Sequence, residues 1–285
     1  METESFNLIC CPNCKKKLSI QVPAVPVNGL EKSLYCGLCR IFFPVIDGLP
    51  AFIMKNARVS YGRRMNLMRA ILARFYTPLT NLMFLPCGGV VSARHEVIDR
   101  LEIPDRSLLL ETGIGTGDNI PYLYARNSSC TFYGIDNQDI MLKKCTQNLK
   151  QWKMKAELFL ADAEQLPFRD HIFDVVFHLG AINIFPDKRK AILEMIRVAK
   201  PGTKIVIADE TQKAGKYFEI FIGRQPEIIP PIELIPDTML DIRMDTIWNG
   251  FGYVIEFRTP GNGNKSKTRR SAVMKKTRSR EISMG

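Results

Sequence analysis

The stretch "LLLETGIGTGDN", residues 108–119, decides the fold. Gly113, Gly115 and Gly117 stand at alternate positions after a short apolar run that ends in an acid. Glycines in such a turn let the main chain bend sharply and approach a ligand at the carboxyl edge of a parallel sheet. The loop therefore predicts a nucleotide or nucleoside site. Three ligands are compatible with it at this point: a dinucleotide, a phosphate in a P-loop, or another nucleoside cofactor.

The sequence beyond this loop alternates short strand-like runs with helical patterns, which is typical of an α/β domain with a parallel sheet. Two further β-rich runs around "NGFG" (249–252) predict a terminal hairpin. The result is a doubly wound, mostly parallel seven-stranded sheet. The predicted strands are Ser107–Glu111, Thr131–Ile135, Leu158–Ala161, Phe173–His178 and Lys204–Ala208, and the predicted helices are Asp118–Arg126, Asp139–Trp152 and Lys188–Ala199.

The charges around the glycine loop favour one class of ligand. A P-loop requires Gly-Lys-Ser/Thr, but Gly117 is followed by Asp118 and Asn119. A phosphate would face Glu111 and Asp118, and the sequence places no cation beside them. The same objection applies more weakly to NAD. S-adenosylmethionine carries an ammonium and a sulfonium and no phosphate, so it suits these carboxylates best.

Two later acids fit a nucleoside on this loop. Asp136 lies 19 residues beyond Gly117, at the end of the second predicted strand. An acid there can accept both ribose hydroxyls, although it can also serve only as a helix cap. Asp162 follows the third predicted strand, where it can meet the adenine edge or stay a solvated loop acid.

Three titratable residues are candidates for a role in proton transfer with the acceptor molecule. His178 ends the fourth predicted strand, beside the expected position of the reactive methyl group, and is the candidate general base. A histidine leaving a buried strand can equally be a packed residue. Asp209 and Glu210 follow the fifth predicted strand and can also face the pocket.

Four ordered motifs carry a family resemblance over residues 95–210. "ETGIGTG", "GIDNQDIML", "ADAEQLPFRDHIFDVVF" and "AILEMIRVAKPGTKIVI" resemble class I S-adenosylmethionine-dependent methyltransferases, most closely the ubiquinone/menaquinone C-methyltransferase-like branch. The resemblance implies a Rossmann-like methyltransferase fold. "HLGAI" (178–182) stands where methylases of exocyclic amines carry Asn-Pro-Pro-Tyr, which favours O- or C-methylation. The implied roles are the methionine part of the cofactor for Glu111, Gly113, Gly115 and Gly117, the ribose for Asp136, and the adenine for Asp162 and Ala163.

Four of the eight cysteines form two C-x-x-C pairs, Cys11 with Cys14 and Cys36 with Cys39, separated by 21 residues. This spacing is close to that of a four-thiolate zinc site, which leaves no open position and is therefore structural. Cys10 makes the register ambiguous, but the C-x-x-C spacing favours Cys11. The unit, with "FPVIDGLPAFI" (43–53), resembles the short zinc ribbon found fused to, or partnering, some methyltransferases.

Composition limits the cellular setting and the partners. No apolar run reaches 18 residues, so no transmembrane segment is predicted, and "METESFNLICCP" lacks the features of a signal peptide. We therefore expect a cytoplasmic protein with reduced cysteines. Residues 261–285 hold eight Lys and Arg and one Glu, which accounts for +7 of the net charge of +11. This segment reads as a disordered basic tail, either merely solvated or offering weak contact to RNA or an anionic membrane.

The predicted organisation is a zinc ribbon (5–54), a helical lid or lead-in segment (56–104), a methyltransferase core (105–260) and the basic tail (261–285). The leading functional hypothesis is methyl transfer to a small apolar or aromatic molecule. The alternative is an RNA-modifying methyltransferase that grips RNA with the tail and with the ribbon lysines 15–17. A scaffold that keeps the fold without the cofactor is a third hypothesis, which the intact glycines and acids disfavour.

Overall fold

The computed structural model describes residues 3–22, 32–53, 82, 84–222 and 227–261. Most of the predicted lead-in segment before Phe84, and the predicted tail beyond residue 261, lie outside the described residues. The described part forms a small antiparallel sheet and a large mixed sheet, which are joined by one hydrophobic core.

The large sheet has seven strands in the order β10-β11-β9-β8-β5-β6-β7. Strands β5 to β9 run parallel, whereas β11 pairs antiparallel with β9 and β10 pairs antiparallel with β11. The predicted doubly wound, mostly parallel sheet is confirmed. The strands are β5 (Leu108–Thr112), β6 (Thr131–Asp136), β7 (Glu157–Leu160), β8 (Val175–Leu179), β9 (Lys204–Glu210), β10 (Leu240–Ile247) and β11 (Gly252–Arg258).

Helices cover both faces of this sheet, which explains why its central strands are almost entirely buried. Ile192 and Met195 pack one helix against one face, and Ile120 and Leu142 pack two others against the opposite face. The helices are α1 (Thr3–Phe6), α2 (Val90–Ile98), α3 (Ile120–Arg126), α4 (Asp139–Trp152), α5 (Lys188–Val198) and α6 (Gln212–Ile222). None of these described helices combines the length and the apolar character needed to cross a bilayer.

Element boundaries differ from the sequence prediction at two places that matter for the site. Helix α3 begins at Ile120 rather than at Asp118, because Pro121 fits the first turn and the two preceding residues form the end of the glycine loop. Strand β9 continues to Glu210, so Asp209 and Glu210 belong to the strand instead of following it. Both residues pair with β11, which extends the ladder beyond the predicted end at Ala208.

The small sheet packs against the edge of the large one. Its strands β1 (Ser19–Gln21), β2 (Lys32–Cys36), β3 (Ile41–Ile46) and β4 (Leu49–Pro50) are antiparallel neighbours in that order. Phe52 N donates to Leu160 O of β7 at 2.8 Å. The pairing covers the main-chain groups that an edge strand would otherwise expose. A shared core contains Phe43, Phe52 and Phe159.

Candidate functional site

The glycine loop closes over the carboxyl end of β5 and is tied to β6. The N–H groups of Gly113 and Ile114 both donate to Ile135 O, at 2.8 and 2.9 Å. A methyl group added at Gly117 would lie 2.6 Å from Cys145 Sγ of α4, and the φ of Gly117 is +78°. A methyl group added at Gly115 would meet no atom within 4 Å. The loop is therefore packed tightly on the helix side and open at Gly115.

Glu111 lies among the last residues of β5 before this loop and is buried, with only 2% of its surface exposed. Its Oε1 accepts from Asn119 Nδ2 at 2.5 Å, whereas its Oε2 has no hydrogen-bond partner among the described residues. Burial raises the pKa of Glu111 to about 8, against the lowering effect of the Asn119 hydrogen bond and of Arg94. A buried carboxylate with one unused oxygen is suited to an ammonium group.

Arg94 corrects the expectation that no cation lies near the loop. Its guanidinium reaches from α2, hydrogen-bonds Asn119 Oδ1, and lies 3.6 Å from Asp118 Oδ2. It also lies over the Tyr122 ring. Because α2 precedes the glycine motif by about twenty residues, no local pattern around the motif predicts this contact. Its direct contacts are with Asp118 and Asn119, so its charge lowers the pKa of Glu111 without a hydrogen bond to Glu111 Oε2.

Asp136 joins β6 to the loop. Its Oδ2 accepts from Gly115 N at 3.0 Å and its Oδ1 accepts from Gln138 N at 2.8 Å. Burial raises the pKa of Asp136 to about 6, and the hydrogen bonds from these main-chain groups oppose the rise. The hydrogen bond from Gln138 N is the kind a helix cap makes, whereas the hydrogen bond from Gly115 N ties the carboxylate to the glycine loop. Each carboxylate oxygen retains acceptor capacity toward the open side of the loop.

Asp162 and Ala163 follow β7 next to Asp136, since Ala161 N donates to Asp136 O at 3.0 Å. Asp162 is exposed, and its carboxylate caps the short 3-10 turn Ala163–Gln165 by accepting from Glu164 N at 2.9 Å. Ala163 is buried. The structure thus brings the predicted methionine, ribose and adenine positions to the ends of three adjacent strands, β5, β6 and β7.

His178 lies in β8 and is completely buried. Its Nδ1 is 2.6 Å from Thr112 O, so this nitrogen carries the proton, and Nε2 has no hydrogen-bond partner among the described residues. Burial lowers the pKa of His178 to about 4, although the Thr112 and Gly180 carbonyls oppose this effect. The imidazole is neutral at physiological pH, with Nε2 as its acceptor atom.

Asp209 and Glu210 at the end of β9 have different environments. Asp209 is buried and accepts from Asn183 N at 2.7 Å and from Glu210 N at 2.8 Å, so it braces the loop after β8. The Glu210 side chain is half-buried and has no hydrogen bond to a described residue. Burial and the neighbouring Asp209 raise the pKa of Glu210 to about 7. Of the two acids, only Glu210 offers a partly accessible carboxyl group.

The four predicted metal ligands come together in the small sheet. The sulfur atoms of Cys11, Cys14, Cys36 and Cys39 all lie within 4.8 Å of one another, with Sγ–Sγ distances of 3.9 Å for Cys11–Cys39 and 3.5 Å for Cys14–Cys36. Tetrahedral zinc with Zn–S bonds of about 2.3 Å requires sulfur separations of about 3.8 Å. Cys10 is buried outside this cluster, which matches the C-x-x-C register.

Unsatisfied buried atoms point to the same edge of the large sheet. Among the described residues, four buried side-chain oxygen or nitrogen atoms have no hydrogen-bond partner. Three belong to this edge: Glu111 Oε2, Thr116 Oγ1 and His178 Nε2. The fourth, on Glu256, lies 3.3 Å from Lys204 Nζ. Since buried polar groups are normally satisfied, the concentration at the glycine loop fits a polar ligand there.

Comparison with known protein families agrees with this geometry. Residues 110–207 match the family described as a methyltransferase domain, and residues 5–48 match the Trm112p-like family. The chain carries a class I S-adenosylmethionine-dependent methyltransferase domain. A Trm112-like zinc-ribbon domain precedes it. Residues 49–109 and 208–285, which include the lead-in segment and the tail, lie outside both matches.

Curated relatives of the methyltransferase domain differ in their acceptors. The chain is 32% identical over 103 residues to a phosphatidylethanolamine N-methyltransferase of Cereibacter sphaeroides, covering 35% of this chain and 49% of the relative. It is 29% identical over 144 residues to a demethylmenaquinone methyltransferase of Lactiplantibacillus plantarum, covering 50% and 60%. It is 30% identical over 164 residues to a tRNA (carboxymethyluridine(34)-5-O)-methyltransferase of Arabidopsis thaliana, covering 48% and 37%. The chain thus spans about half the length of such relatives, and they do not single out the quinone branch.

Solved structures share the fold of the methyltransferase domain at low identity. A chain in the complex between the Haloferax volcanii Trm112 methyltransferase activator and a methyltransferase superposes with a TM-score of 0.50 at 15% identity, covering 59% of this chain and 89% of that one. The [4+2]-cyclase SpnF superposes with a TM-score of 0.55 at 15% identity, covering 70% and 96%. These similarities establish the Rossmann-like methyltransferase fold.

Proposed function

We propose that the protein transfers a methyl group from S-adenosylmethionine to the oxygen or carbon of a small apolar or aromatic acceptor. The observation that carries the cofactor assignment is the set of acceptor atoms at the ends of β5 and β6. Glu111 Oε2 has no hydrogen-bond partner among the described residues, and the buried Asp136 carboxylate accepts from Gly115 N, where an added methyl group would meet no atom within 4 Å. A cationic nucleoside complements these acids, whereas a diphosphate would face them, and the nearby Arg94 is engaged with Asp118 and Asn119.

In this proposal, the cofactor contacts follow the strand ends. Glu111 and the loop glycines Gly113, Gly115 and Gly117 hold the methionine part. Asp136 accepts the ribose hydroxyls, and Asp162 and Ala163 contact the adenine. The cofactor supplies the activated methyl group, while the protein supplies orientation and exclusion of water.

Two groups are proposed for the acceptor side. His178 is the candidate base through Nε2, because Nδ1 is hydrogen-bonded to Thr112 O and Nε2 has no hydrogen-bond partner among the described residues. Glu210 is the second candidate, because its pKa of about 7 is closer to neutrality than that of His178. With an acceptor identified, a kcat/KM that rises through pH 7 would assign the proton transfer to Glu210. At saturating S-adenosylmethionine, a rate that is flat from pH 6 to 9 is expected if neutral His178 accepts the proton.

Isothermal titration with S-adenosylhomocysteine tests the cofactor assignment. The wild-type protein should bind, and Asp136→Ala should weaken binding roughly tenfold to a hundredfold, the effect of losing about 1.5–3 kcal/mol of hydrogen bonding to a charged group. Asp139→Ala is the matched control, because its side chain is 61% exposed at the start of α4. A wild-type protein that gives no heat with either S-adenosylmethionine or S-adenosylhomocysteine would identify a scaffold instead.

Zinc in the four-cysteine site is the second part of the proposal. The sulfur separations fit a tetrahedral ion, and four protein thiolates leave no position for substrate, so the metal would be structural. Elemental analysis should give one zinc per chain. Cys36→Ser should lose the metal and Cys10→Ser should keep it. Metal retention in Cys36→Ser would refute this ligand set.

RNA modification is the alternative, and the Trm112-like domain together with the tRNA methyltransferase relative favours it. The structure changes its expected contacts: Lys15 is engaged with Glu194 of α5, whereas Lys16 and Lys17 are exposed. Deletion of residues 261–285, or Lys16→Gln with Lys17→Gln, should weaken RNA binding and flatten its salt dependence. An absence of RNA binding at low salt excludes this function. The cytoplasmic location and weak membrane contact through the tail stay predictions.

A further inference from the structure

The loop that carries the proposed adenine contacts is hydrogen-bonded both to the ribbon and to helix α5 of the methyltransferase core. We call residues 162–169 the adenine-side loop. Its far end pairs with the ribbon, since Cys10 N donates to Pro167 O and Arg169 N donates to Leu8 O, both at 2.9 Å. The ribbon residues just before Cys11 therefore extend the main-chain pairing into this loop.

A charged network fixes the middle of the same loop. Glu194 Oε2 of α5 accepts from Leu166 N at 2.8 Å and from Lys15 Nζ of the ribbon at 2.8 Å. Lys15 Nζ also donates to Leu166 O at 3.2 Å. Lys15 thus contacts both the loop carbonyl and the carboxylate that binds the neighbouring loop amide.

Arg197 completes the network from the following turn of α5. It donates to both Glu194 oxygens, at 2.7 and 2.8 Å, and to Phe168 O at 2.7 Å. The pKa of Glu194 lies below its ordinary value: burial raises it, but hydrogen bonds from Arg197 and Lys15 outweigh this effect. Glu194 is therefore a carboxylate at neutral pH, and charge-assisted bonds hold the loop.

The position of Lys15 depends on the first cysteine pair. Lys15 follows Cys14 directly and has a φ of +59°. Its N–H donates to Cys11 O at 2.8 Å, and Cys11 N donates to Lys16 O at 2.9 Å. A metal bound by Cys11 and Cys14 would hold this turn rigid, and with it the origin of the Lys15 side chain.

We propose that Lys15 and Glu194 are positioning residues that couple metal loading of the ribbon to cofactor affinity. The bound metal fixes the Cys11–Cys14 turn, Lys15 transmits its position to Glu194 and Leu166, and the adenine-side loop is held in the conformation that receives the cofactor. This inference rests on the proposed cofactor function. By linkage, the cofactor should raise zinc affinity by the same factor by which zinc raises cofactor affinity.

Titration of zinc-loaded variants with S-adenosylhomocysteine tests the role of the side chain. Lys15→Met removes the ammonium, keeps the aliphatic stem and should weaken binding about tenfold, the order expected for one charge-assisted hydrogen bond. Lys15→Arg should restore most of the affinity, and exposed Lys16→Met is the matched control. Glu194→Gln should weaken binding comparably, and its combination with Lys15→Met should cost less than the product of the two effects.

A zinc cycle distinguishes positioning from general support of the fold. Zinc removal should weaken S-adenosylhomocysteine binding more in the wild type than in Lys15→Met, because the variant already lacks the Lys15 connection while both proteins keep the main-chain pairing with Leu8 and Cys10. Hydrogen exchange of zinc-loaded Lys15→Met should increase in residues 162–169 without a change in Tm.

Three outcomes have distinct meanings. If the zinc-loaded wild type does not bind S-adenosylhomocysteine, the proposed function itself fails. If it binds, and Lys15→Met binds equally well, the positioning role is refuted. If zinc removal weakens both proteins by the same factor, the metal acts by a route that excludes Lys15, and the coupling proposed here is wrong.

Discussion

The carboxyl edge of the large sheet has two halves that are held in different ways. In the half formed by β5, β6 and β7, the positive φ angles of the loop after β5 all fall on glycines: Gly113, Gly115 and Gly117. In the half formed by β8 and β9, a non-glycine residue, Ala181, has a φ of +87°, and Asp209 braces its loop from below. Glycines adopt such angles at little cost, whereas Ala181 holds backbone strain that the surrounding fold must support.

The titratable groups sharpen this contrast. In the half formed by β5, β6 and β7, which we call the cofactor half, Glu111 has one oxygen bound by Asn119 and one without a partner among the described residues. In the half formed by β8 and β9, which we call the acceptor half, Glu210 combines a raised pKa with a partly accessible side chain that has no hydrogen bond to a described residue. We infer that the cofactor half is prearranged for one ligand and that the acceptor half contains a partly accessible group, Glu210, that can take up or release a proton near neutral pH.

The largest effects should come from the loop glycines of the cofactor half. Gly117→Ala places a methyl group against Cys145 Sγ at a positive φ, so we expect a loss of about 2–5 kcal/mol in the free energy of unfolding. Gly115→Ala meets no atom and should cost only about 1–2 kcal/mol of backbone strain. Gly115→Ala should nevertheless weaken S-adenosylhomocysteine binding roughly a hundredfold, or about 2.7 kcal/mol.

Urea unfolding and calorimetry separate the two glycines. Cys145→Ala should recover part of the stability lost in Gly117→Ala, because it removes the atom that the new methyl group overlaps. If Gly115→Ala binds S-adenosylhomocysteine normally, the cofactor does not approach that side of the loop. The arrangement of the cofactor half would then need a different ligand.

The sequence could predict that the candidate cofactor residues meet at one edge of the sheet, because each lies at or just after the end of a strand with a local signal. The spacing from Gly117 to Asp136 is one helix and one strand, and the helix–strand pattern fixes where both emerge. Arg94 could not be found in this way, because it reaches the loop from a helix packed across the sheet. The same holds for Lys15 and Glu194, which are far apart in sequence and meet only when the ribbon packs on β7.

The acceptor half was predicted less completely for the same reason. Its residues were identified as candidates, but their burial depends on neighbours far away in sequence. Asp209 was one of two acids that could face the pocket, and the structure buries it at a position where it accepts main-chain N–H groups of Asn183 and Glu210. Periodicity placed Asp209 near the edge of the sheet. It did not indicate that strand β9 continues through both acids by pairing with β11.

A second prediction concerns the charge of Glu111. Because its pKa in the folded protein is about 8, its carboxylate form grows as pH rises through that value. S-adenosylhomocysteine carries an ammonium group, so its binding should tighten between pH 7 and 9 in the wild type. Glu111→Gln should abolish this rise and bind about tenfold more weakly at pH 9.

Methylthioadenosine provides the control for this pH dependence, because it lacks the amino-acid part of the cofactor. Its affinity should be flat with pH in both proteins. A rise that persists for S-adenosylhomocysteine in Glu111→Gln would assign the titration to another group. Glu111 would then contribute to the loop without contacting the ammonium.

The smallest effect is expected for Glu210, in the acceptor half. Its folded-state pKa of about 7 lies above the ordinary value of 4.5, so the folded protein binds the proton more tightly than the unfolded chain. Stability from this group is therefore full below pH 4.5 and is lost as pH rises to 7. Glu210→Gln should raise the free energy of unfolding at pH 8 by about 1–2 kcal/mol and leave it unchanged at pH 4.5.

S-adenosylhomocysteine affinity should stay within about twofold of the wild type, since Glu210 belongs to the other half of the edge. A gain in stability without a loss of cofactor affinity would separate the two halves energetically, whereas a variant that is less stable at pH 8 would show that Glu210 is held by a favourable partner.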